Sequence, residues 1–93
     1  MEKFKTGKIV ETIGVHQKRE EDIKFSDFVV ASFEKHINGD WGNLCEEDKK
    51  ANDNALITQD RLLSKYTYDD GTDIYIITEW DRSVTTILFP SEY

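Results

Sequence analysis

Apolar residues recur at two different spacings along the chain, and the two spacings predict different elements. Over residues 26–37 they return every three or four positions, which is the spacing of one helix face. Ser26 is a favourable helix N-cap, and Asn38-Gly39 tolerates the left-handed backbone that often ends a helix. A first helix is therefore predicted from Ser26 to about Asn38.

A second helix is predicted from Asn43 to about Gln59. Asn43 is its expected N-cap, and Glu46 three residues later resembles a capping box. Asp48 and Asn52 interrupt the apolar face of this helix, which should point to the core. A buried carboxylate or amide needs a hydrogen-bond partner, because leaving one unpaired costs roughly 1–3 kcal/mol. We therefore expect both side chains to find polar partners in neighbouring segments.

The remaining apolar patterns predict β-strands over residues 8–15, 62–68, 73–79 and 84–89. Residues 16–22 are polar and charged without a period, which is typical of a loop or a solvated helical turn. An Asp-Gly pair favours a tight turn between the second and third strands, and Pro90 ends the last one. The predicted order is β-α-α-β-β-β. This is an α+β class in which two consecutive helices pack on an antiparallel sheet, as one domain over residues 1–93.

The chain is acidic, with 19 Asp and Glu residues against 12 Lys and Arg residues and a net charge of −7. Residues 1–24 hold six basic and five acidic residues, whereas residues 25–93 hold six basic and fourteen acidic ones. An acidic body argues against direct nucleic-acid binding, which depends on basic groups that contact phosphates. It is compatible with a partner protein that has a basic surface, including a surface that normally holds nucleic acid.

Composition narrows the setting further. Hydrophobic content of 38% and aromatic content of 12% are typical of a folded domain rather than of a disordered chain. Cys45 is the single cysteine, so no intramolecular disulfide can form, which fits a reducing compartment. No segment is apolar over the length of a membrane span, and no signal-peptide core follows the charged residues 1–8. We expect a cytoplasmic protein that does not enter a membrane.

Most of the unusual polar residues lie in or near residues 36–54, which join the two helices through a Gly-containing turn. We predict one polar cluster where this turn meets the connection 80–83. Its members are His36, Asp40, Trp41, Asp48, Asn52, Glu79 and Arg82. Arg82 can bind a carboxylate through two parallel hydrogen bonds, so we expect it to pair with an acidic residue. Two interpretations stay open: a structural network that fixes the helix–helix angle, or the lining of a recognition site.

Three motifs connect residues 36–93 to known sequences. They are H-x-x-G-D-W-G from His36, E-D-x-x-x-N-D from Glu47, and I-T-E-x-D-R-S-x-T-T-x-L-x-P-x-E-Y from Ile77. Through these motifs the chain resembles a family of small uncharacterised bacterial proteins, often found on plasmids, integrative elements and prophages and sometimes labelled plasmid-related proteins. The resemblance implies a bacterial or phage origin and a mobile-element setting. Short proteins in such settings often counter host defence by binding a restriction or CRISPR protein. The resemblance does not by itself imply any particular activity.

Two functions are compatible with these observations. The first is an interaction protein that binds another protein, for which Trp41 and Trp80 are candidate anchors. The alternative is a small carboxylate-based, metal-dependent hydrolase that uses His36, Asp40 and Asp48. No spacing matches a hydrolase motif, and the sequence holds no His/Cys cluster of the kind that binds zinc. We therefore assign no catalytic residue, no metal and no cofactor, and leave the oligomeric state open.

Overall fold

Helices and strands alternate in blocks, and a computed structural model describes them over residues 2–93. In chain order the elements are β1 Lys8–Glu11, α1 Ile13–Glu21, α2 Ile23–Ile37, α3 Glu46–Thr58, β2 Leu62–Thr67, β3 Asp73–Thr78, β4 Val84–Leu88 and a short 3-10 turn Pro90–Glu92. The predicted α+β class is confirmed, as is the order of one strand, consecutive helices and then three strands. No helix of the described range is long and apolar enough to cross a membrane.

The strands form one mixed sheet in the spatial order β1-β4-β3-β2. The antiparallel pairs β2–β3 and β3–β4 make the predicted meander. The prediction of a wholly antiparallel sheet is wrong at β1, which lies parallel to β4, with Ile9 beside Thr85. The strand pattern identifies β1 as a strand, but its partner lies more than seventy residues away, so the local sequence carries no signal for the strand direction.

The predicted strand 8–15 ends early, because Thr12 starts a helix. The Thr12 hydroxyl accepts a hydrogen bond from the backbone N–H of Val15, and Val15 is the one buried residue of the nine in α1. The loop or solvated turn expected over residues 16–22 is therefore mostly helix. Asp22 caps the next helix through the N–H of Phe25 at 3.1 Å, so α2 begins at Ile23, ahead of the predicted cap at Ser26.

The third helix also starts at a different residue from the one predicted. Asn43 does not cap the helix and bonds to β2 instead. Its backbone N–H donates to the Lys65 carbonyl at 2.7 Å, and its side chain donates to Thr67 at 2.8 Å. The N-cap of α3 is therefore Cys45, which is exposed and makes no capping hydrogen bond through its side chain. At the other end Gln59 takes the left-handed conformation, with φ 62°, and closes the helix.

Two apolar clusters hold the helices on the sheet. The larger cluster is formed by Val15, Phe25, Val29, Tyr66, Ile74, Ile76 and Ile87, with Phe28, Phe33, Tyr68 and Phe89 at its margin. The smaller one is formed by Trp41, Ala55 and Leu62, with Phe4, Leu44 and Leu56 against it. The smaller cluster fastens α3 and the residues before β1 to the end of the sheet, and most of the predicted polar residues lie around it.

Candidate functional site

His36 lies at the C-terminal end of α2 with no solvent exposure. Its Nδ1 is 2.6 Å from Ser64 Oγ on β2, and its Nε2 is 2.9 Å from Thr78 Oγ1 on β3. Thr78 is bonded at 2.7 Å to Thr85 on β4, whose hydroxyl donates to the carbonyl of Thr6 at 2.8 Å. These five residues form a polar chain that crosses three strands inside the fold. All of its side chains have partners, so it satisfies the requirement for buried polar groups.

The surroundings of His36 favour its neutral form. Burial is the larger cause and the positive charge of Arg82 the smaller, and together they lower the pKa of His36 from 6.5 to about 3. The ring is also enclosed by aromatic side chains, with the Phe4 centroid at 5.3 Å and the Trp41 centroid at 5.8 Å, both edge-on. A histidine with both nitrogens bonded and no access to solvent cannot serve as a general base for an external substrate.

The two tryptophans differ in exposure. Trp41 is buried, and its ring N–H donates to Asp53 Oδ1 at 2.9 Å. It therefore packs in the smaller apolar cluster and is not available as an interface anchor. Trp80 lies in the connection between β3 and β4 and is 65% exposed, so it is the tryptophan that a partner can reach.

The prediction that Arg82 pairs with a carboxylate is wrong. Its guanidinium donates to backbone carbonyls: from Nη1 to Asp60 at 2.7 Å and Glu79 at 3.2 Å, and from Nη2 to Ala55 at 3.3 Å. The Ala55 carbonyl also accepts from the N–H groups of Gln59 and Asp60, at 2.9 and 3.2 Å, so the guanidinium adds a charged donor at the C-terminal end of α3, where the helix dipole favours a positive charge. Glu79 thus contributes its backbone to the contact. The guanidinium also lies over the Phe4 ring, 5.8 Å from its centroid.

Asn52 and Asp48 lie one turn apart on α3 but differ in burial and in hydrogen bonding. Asn52 is buried, and its amide pairs with Leu63 of β2 in both directions, donating to the carbonyl at 2.7 Å and accepting from the N–H at 3.3 Å. Asp48 is exposed, so the expectation that it faces the core is wrong. The buried residues of α3 are Asn52 and Ala55, so Asp48 lies outside the part of the helix that is covered by the sheet.

Asp48 instead stands at the mouth of a shallow groove between α3 and β2, which we term the α3–β2 groove. Its volume is about 230 Å³ and its lining is Leu44, Asp48, Ala51, Asn52 and Leu63. Among residues 2–93 the Asp48 carboxylate makes no hydrogen bond or ion pair, whereas the amide of Asn52 is already committed to Leu63. The groove therefore combines an apolar floor with one free negative charge.

The predicted seven-residue cluster is thus only partly assembled. His36, Trp41 and Arg82 meet at the Phe4 ring, and Glu79 joins them through its carbonyl. Asp40 is exposed; its side chain accepts from the N–H of Gly42 at 3.2 Å and its carbonyl accepts from the Tyr66 hydroxyl at 2.6 Å. The carboxylates of Asp40 and Asp48 face solvent, away from the imidazole.

Sequence reasoning missed the polar residues that satisfy His36. They are Ser64, Thr78 and Thr85, and all three are buried. A signal for them exists, since Ser64 alternates with the apolar residues Leu62 and Tyr66 on the inward face of β2. A hydroxyl at such a position indicates a buried polar partner on the facing helix.

The geometry does not support the hydrolase alternative. Its three residues do not converge, because His36 is enclosed while Asp40 and Asp48 point outward. Across residues 2–93, no group of three or more His, Cys, Asp or Glu side chains is placed so that it could hold a metal ion. Comparisons of the chain with protein-family models, curated proteins and solved structures found no match.

Proposed function

We propose that this protein is a cytoplasmic interaction protein of a mobile element or phage that binds a basic surface of a partner protein. The mobile-element setting rests on the resemblance of residues 36–93 to plasmid-related bacterial proteins. In such a setting a host-defence protein, either a restriction enzyme or a CRISPR effector, is the favoured partner. These proteins carry basic surfaces for nucleic acid, which an acidic protein can cover.

The observation that carries the proposal is the free carboxylate of Asp48 at the mouth of the α3–β2 groove. A lysine or arginine places its aliphatic stem on apolar surface and its charged end on a polar group. Leu44, Ala51 and Leu63 offer the apolar surface, and Asp48 offers the acceptor. A hydrogen bond between two charged groups is stronger than one between neutral groups, and the apolar lining adds contact with the aliphatic stem.

The wider charge distribution supports the same partner class. Among residues 2–93, three of the nineteen carboxylates form ion pairs with a lysine or an arginine, those of Glu11, Glu46 and Asp70. Glu46 and Glu47 are exposed in the same first turn of α3 as Asp48, so the groove lies in a region of negative potential. Such a region steers a basic partner toward the groove and accelerates association at low salt.

The test compares the wild-type protein with Asp48→Asn. Both are titrated into purified restriction and CRISPR effector proteins of a bacterial host, with calorimetry as the readout. We expect Asp48→Asn to bind about 10- to 100-fold more weakly, since losing a hydrogen bond between charged groups costs about 1.5–3 kcal/mol. Asp27→Asn is the matched control, because Asp27 is an exposed carboxylate on α2 and the change in charge is the same.

Equal losses for Asp48→Asn and Asp27→Asn would mean that net charge alone governs binding, and would contradict a role for the groove. If the wild-type protein binds none of these restriction and CRISPR effector proteins, the proposal of a host-defence partner is wrong. The melting temperature of each variant is measured alongside, so that loss of binding is not confused with loss of fold.

A further inference from the structure

The two edge strands of the sheet, β1 and β2, differ in whether their outward backbone groups have hydrogen-bond partners. Along β2 the outward backbone groups of Leu63 and Lys65 are occupied: Asn52 pairs with Leu63, and Lys65 receives from the N–H of Asn43 at 2.7 Å and donates to the Trp41 carbonyl at 3.2 Å. An edge closed in this way cannot pair with another strand. The β2 edge is therefore excluded as a site of strand addition.

The β1 edge is open. The N–H groups of Lys8 and Thr12 donate inward, to the carbonyls of Ser83 just before β4 at 3.0 Å and of Ile87 in β4 at 3.1 Å. The backbone groups of Ile9 and Glu11 therefore point away from the sheet. Within residues 2–93 no backbone group outside the sheet bonds to Ile9 or Glu11. This leaves two donors and two acceptors available to a further strand.

An apolar groove runs beside this open edge, between β1 and α2. It has a volume of about 220 Å³ and is lined mainly by Ile9, Val10, Val29, Val30, Phe33 and Ile87. Ile9 is 52% exposed and Val30 is 50% exposed, which is high for aliphatic residues that flank a core. The Glu11–Arg19 ion pair closes one end of the groove. An added strand would cover the apolar groove and satisfy the backbone groups together.

We infer that a second copy of this chain pairs antiparallel with β1, joining two sheets into one continuous sheet across a two-fold axis. With Val10 on that axis, Ile9 lies opposite Glu11 of the second copy, and the outward backbone groups of both residues are paired. The exposed Ile9 and Val30 side chains of the two copies then cover each other. The dimer buries the half-exposed aliphatic side chains, while the closed β2 edges form its two ends.

Charge complementarity selects a second copy as the occupant. The segment that precedes and begins β1, residues 2–8, has three lysines and one glutamate, for a net charge of +2. The segment that ends β1 and contains α1, residues 11–22, has four acidic and two basic residues, for a net charge of −2. An antiparallel second copy places the basic flank of each chain beside the acidic flank of the other, twice over.

The rest of the surface disfavours self-association. Residues 38–93 hold twelve acidic and five basic residues, so two copies repel each other there, whereas residues 2–37 hold seven of each. The balanced part of the chain contains β1, α1 and α2. Self-association through this part leaves the acidic α3–β2 groove free for a basic partner, so the dimer is independent of the function proposed above.

The test is the mass of the full chain in solution, by sedimentation equilibrium across the micromolar to millimolar range. We expect a dimer of twice the 10.9 kDa chain mass that weakens as salt is added. Ile9→Glu puts a second carboxylate opposite Glu11 of the other copy and should give monomers, because like charges directly across two strands repel. Ile57→Glu is the matched control, because Ile57 is 82% exposed on α3, and this variant should stay dimeric.

A second variant distinguishes loss of the dimer from loss of the fold. Ile9→Pro removes the outward N–H while leaving the bonds between β1 and β4 in place, so a variant with wild-type circular dichroism should be monomeric. Wild-type protein that is monomeric throughout the concentration range overturns the inference. So does a folded Ile9→Glu or Ile9→Pro variant that remains a dimer, or an Ile57→Glu variant that dissociates equally.

The antiparallel arrangement is tested by charge reversal. One variant carries Lys5→Glu and Lys8→Glu, and a second carries Glu20→Lys and Glu21→Lys, so each has two flanks of like charge. We expect each variant to be monomeric alone and the two to form a mixed dimer when combined. Folded variants that remain monomeric after mixing contradict the antiparallel arrangement.

Discussion

The Nε2 atom of His36 lies 2.9 Å from the hydroxyl of Thr78, inside the fold. The Thr85 hydroxyl donates to the Thr6 carbonyl, and a carbonyl can only accept. Thr85 Oγ1 must therefore accept from Thr78, and Thr78 Oγ1 must accept from His36. The direction of the whole polar chain is thus set by one backbone carbonyl, which puts the proton of the imidazole on Nε2.

The first prediction is this tautomer. Long-range ¹H–¹⁵N correlation of the ring at neutral pH should show a protonated Nε2 and an unprotonated Nδ1 that accepts from Ser64. The variant His16→Gln removes the only other histidine of the sequence and leaves one set of ring signals. Thr85→Val removes the link to Thr6 and should release the constraint. A wild-type ring protonated on Nδ1 would contradict the assignment.

The second prediction concerns pH. Since the pKa of His36 is lowered from 6.5 to about 3, the unfolded chain binds a proton near pH 6.5 that the folded chain does not bind until about pH 3. The contribution to stability is complete above pH 6.5 and is lost as the pH falls toward 3, by about 1.4 kcal/mol per pH unit. Urea unfolding at several pH values measures it. His36→Gln is the control and should show a shallower dependence; an identical slope would show that His36 does not contribute.

The third prediction concerns Arg82, which combines a left-handed backbone, φ 58°, with a guanidinium bound to the end of α3. Arg82→Ala should lower the free energy of unfolding by about 2–3 kcal/mol, because the carbonyls lose a charged donor. Arg82→Gly should lose about 1 kcal/mol less, because glycine adopts this backbone freely. Chemical denaturation gives both values. Equal losses would mean that the backbone conformation adds nothing.

The fourth prediction separates two neighbouring polar residues. Asn52→Ala leaves both backbone groups of Leu63 without their partner and should lower stability by about 1–3 kcal/mol. Asp48→Ala should change stability by less than about 0.5 kcal/mol, because the side chain is exposed and unpaired within the described residues. Thermal and urea unfolding of the pair provide the comparison. A large loss for Asp48→Ala would indicate a structural role and weaken the proposed binding role.

The fifth prediction concerns the closed β2 edge. Gly42 has φ +75°, and a Cβ at this position would lie 2.0 Å from the Lys65 carbonyl oxygen. Gly42→Ala should therefore push residues 41–43 away from β2 and speed hydrogen exchange of the Lys65 amide, which donates to Trp41. Gly71→Ala is the control for a positive φ, since a Cβ there meets nothing within 4 Å. Unchanged exchange at Lys65 in Gly42→Ala would contradict this account of the closure.

The parts of the fold that the sequence predicted are those in which local pattern decides. β2 alternates, β3 and β4 are rich in β-branched residues, and the helices around Val29 and Ala55 have apolar faces. The helix α1 was missed because Val15 is its one buried residue, so the segment has almost no apolar period. The direction of β1 was missed because it depends on a strand at the opposite end of the chain.

The candidate site was predicted in part for related reasons. His36 on an apolar stripe and Asn52 among apolar neighbours both indicate buried polar groups, and both are buried. Residue type could not identify the partner of Arg82, because backbone carbonyls are present in every segment and only the geometry of the α3 end selects them. Nor could a helical period tell Asp48 from Asn52, since the difference is that Asn52 pairs with the backbone of Leu63, a residue of another segment.

The polar chain also determines which alignment of strands is allowed. On the inward face of β3, Ile74, Ile76 and Thr78 alternate, and the two isoleucines are interchangeable for apolar packing. Consider a slip of β3 by two residues that brings Ile76 to the place of Thr78 beside His36. The buried Nε2–H would then lose its acceptor, at a cost of roughly 1–3 kcal/mol. Apolar contacts alone would tolerate the slipped strand, but the imidazole does not. The hydrogen bonds of His36 therefore favour one register of β3 against its neighbouring strands.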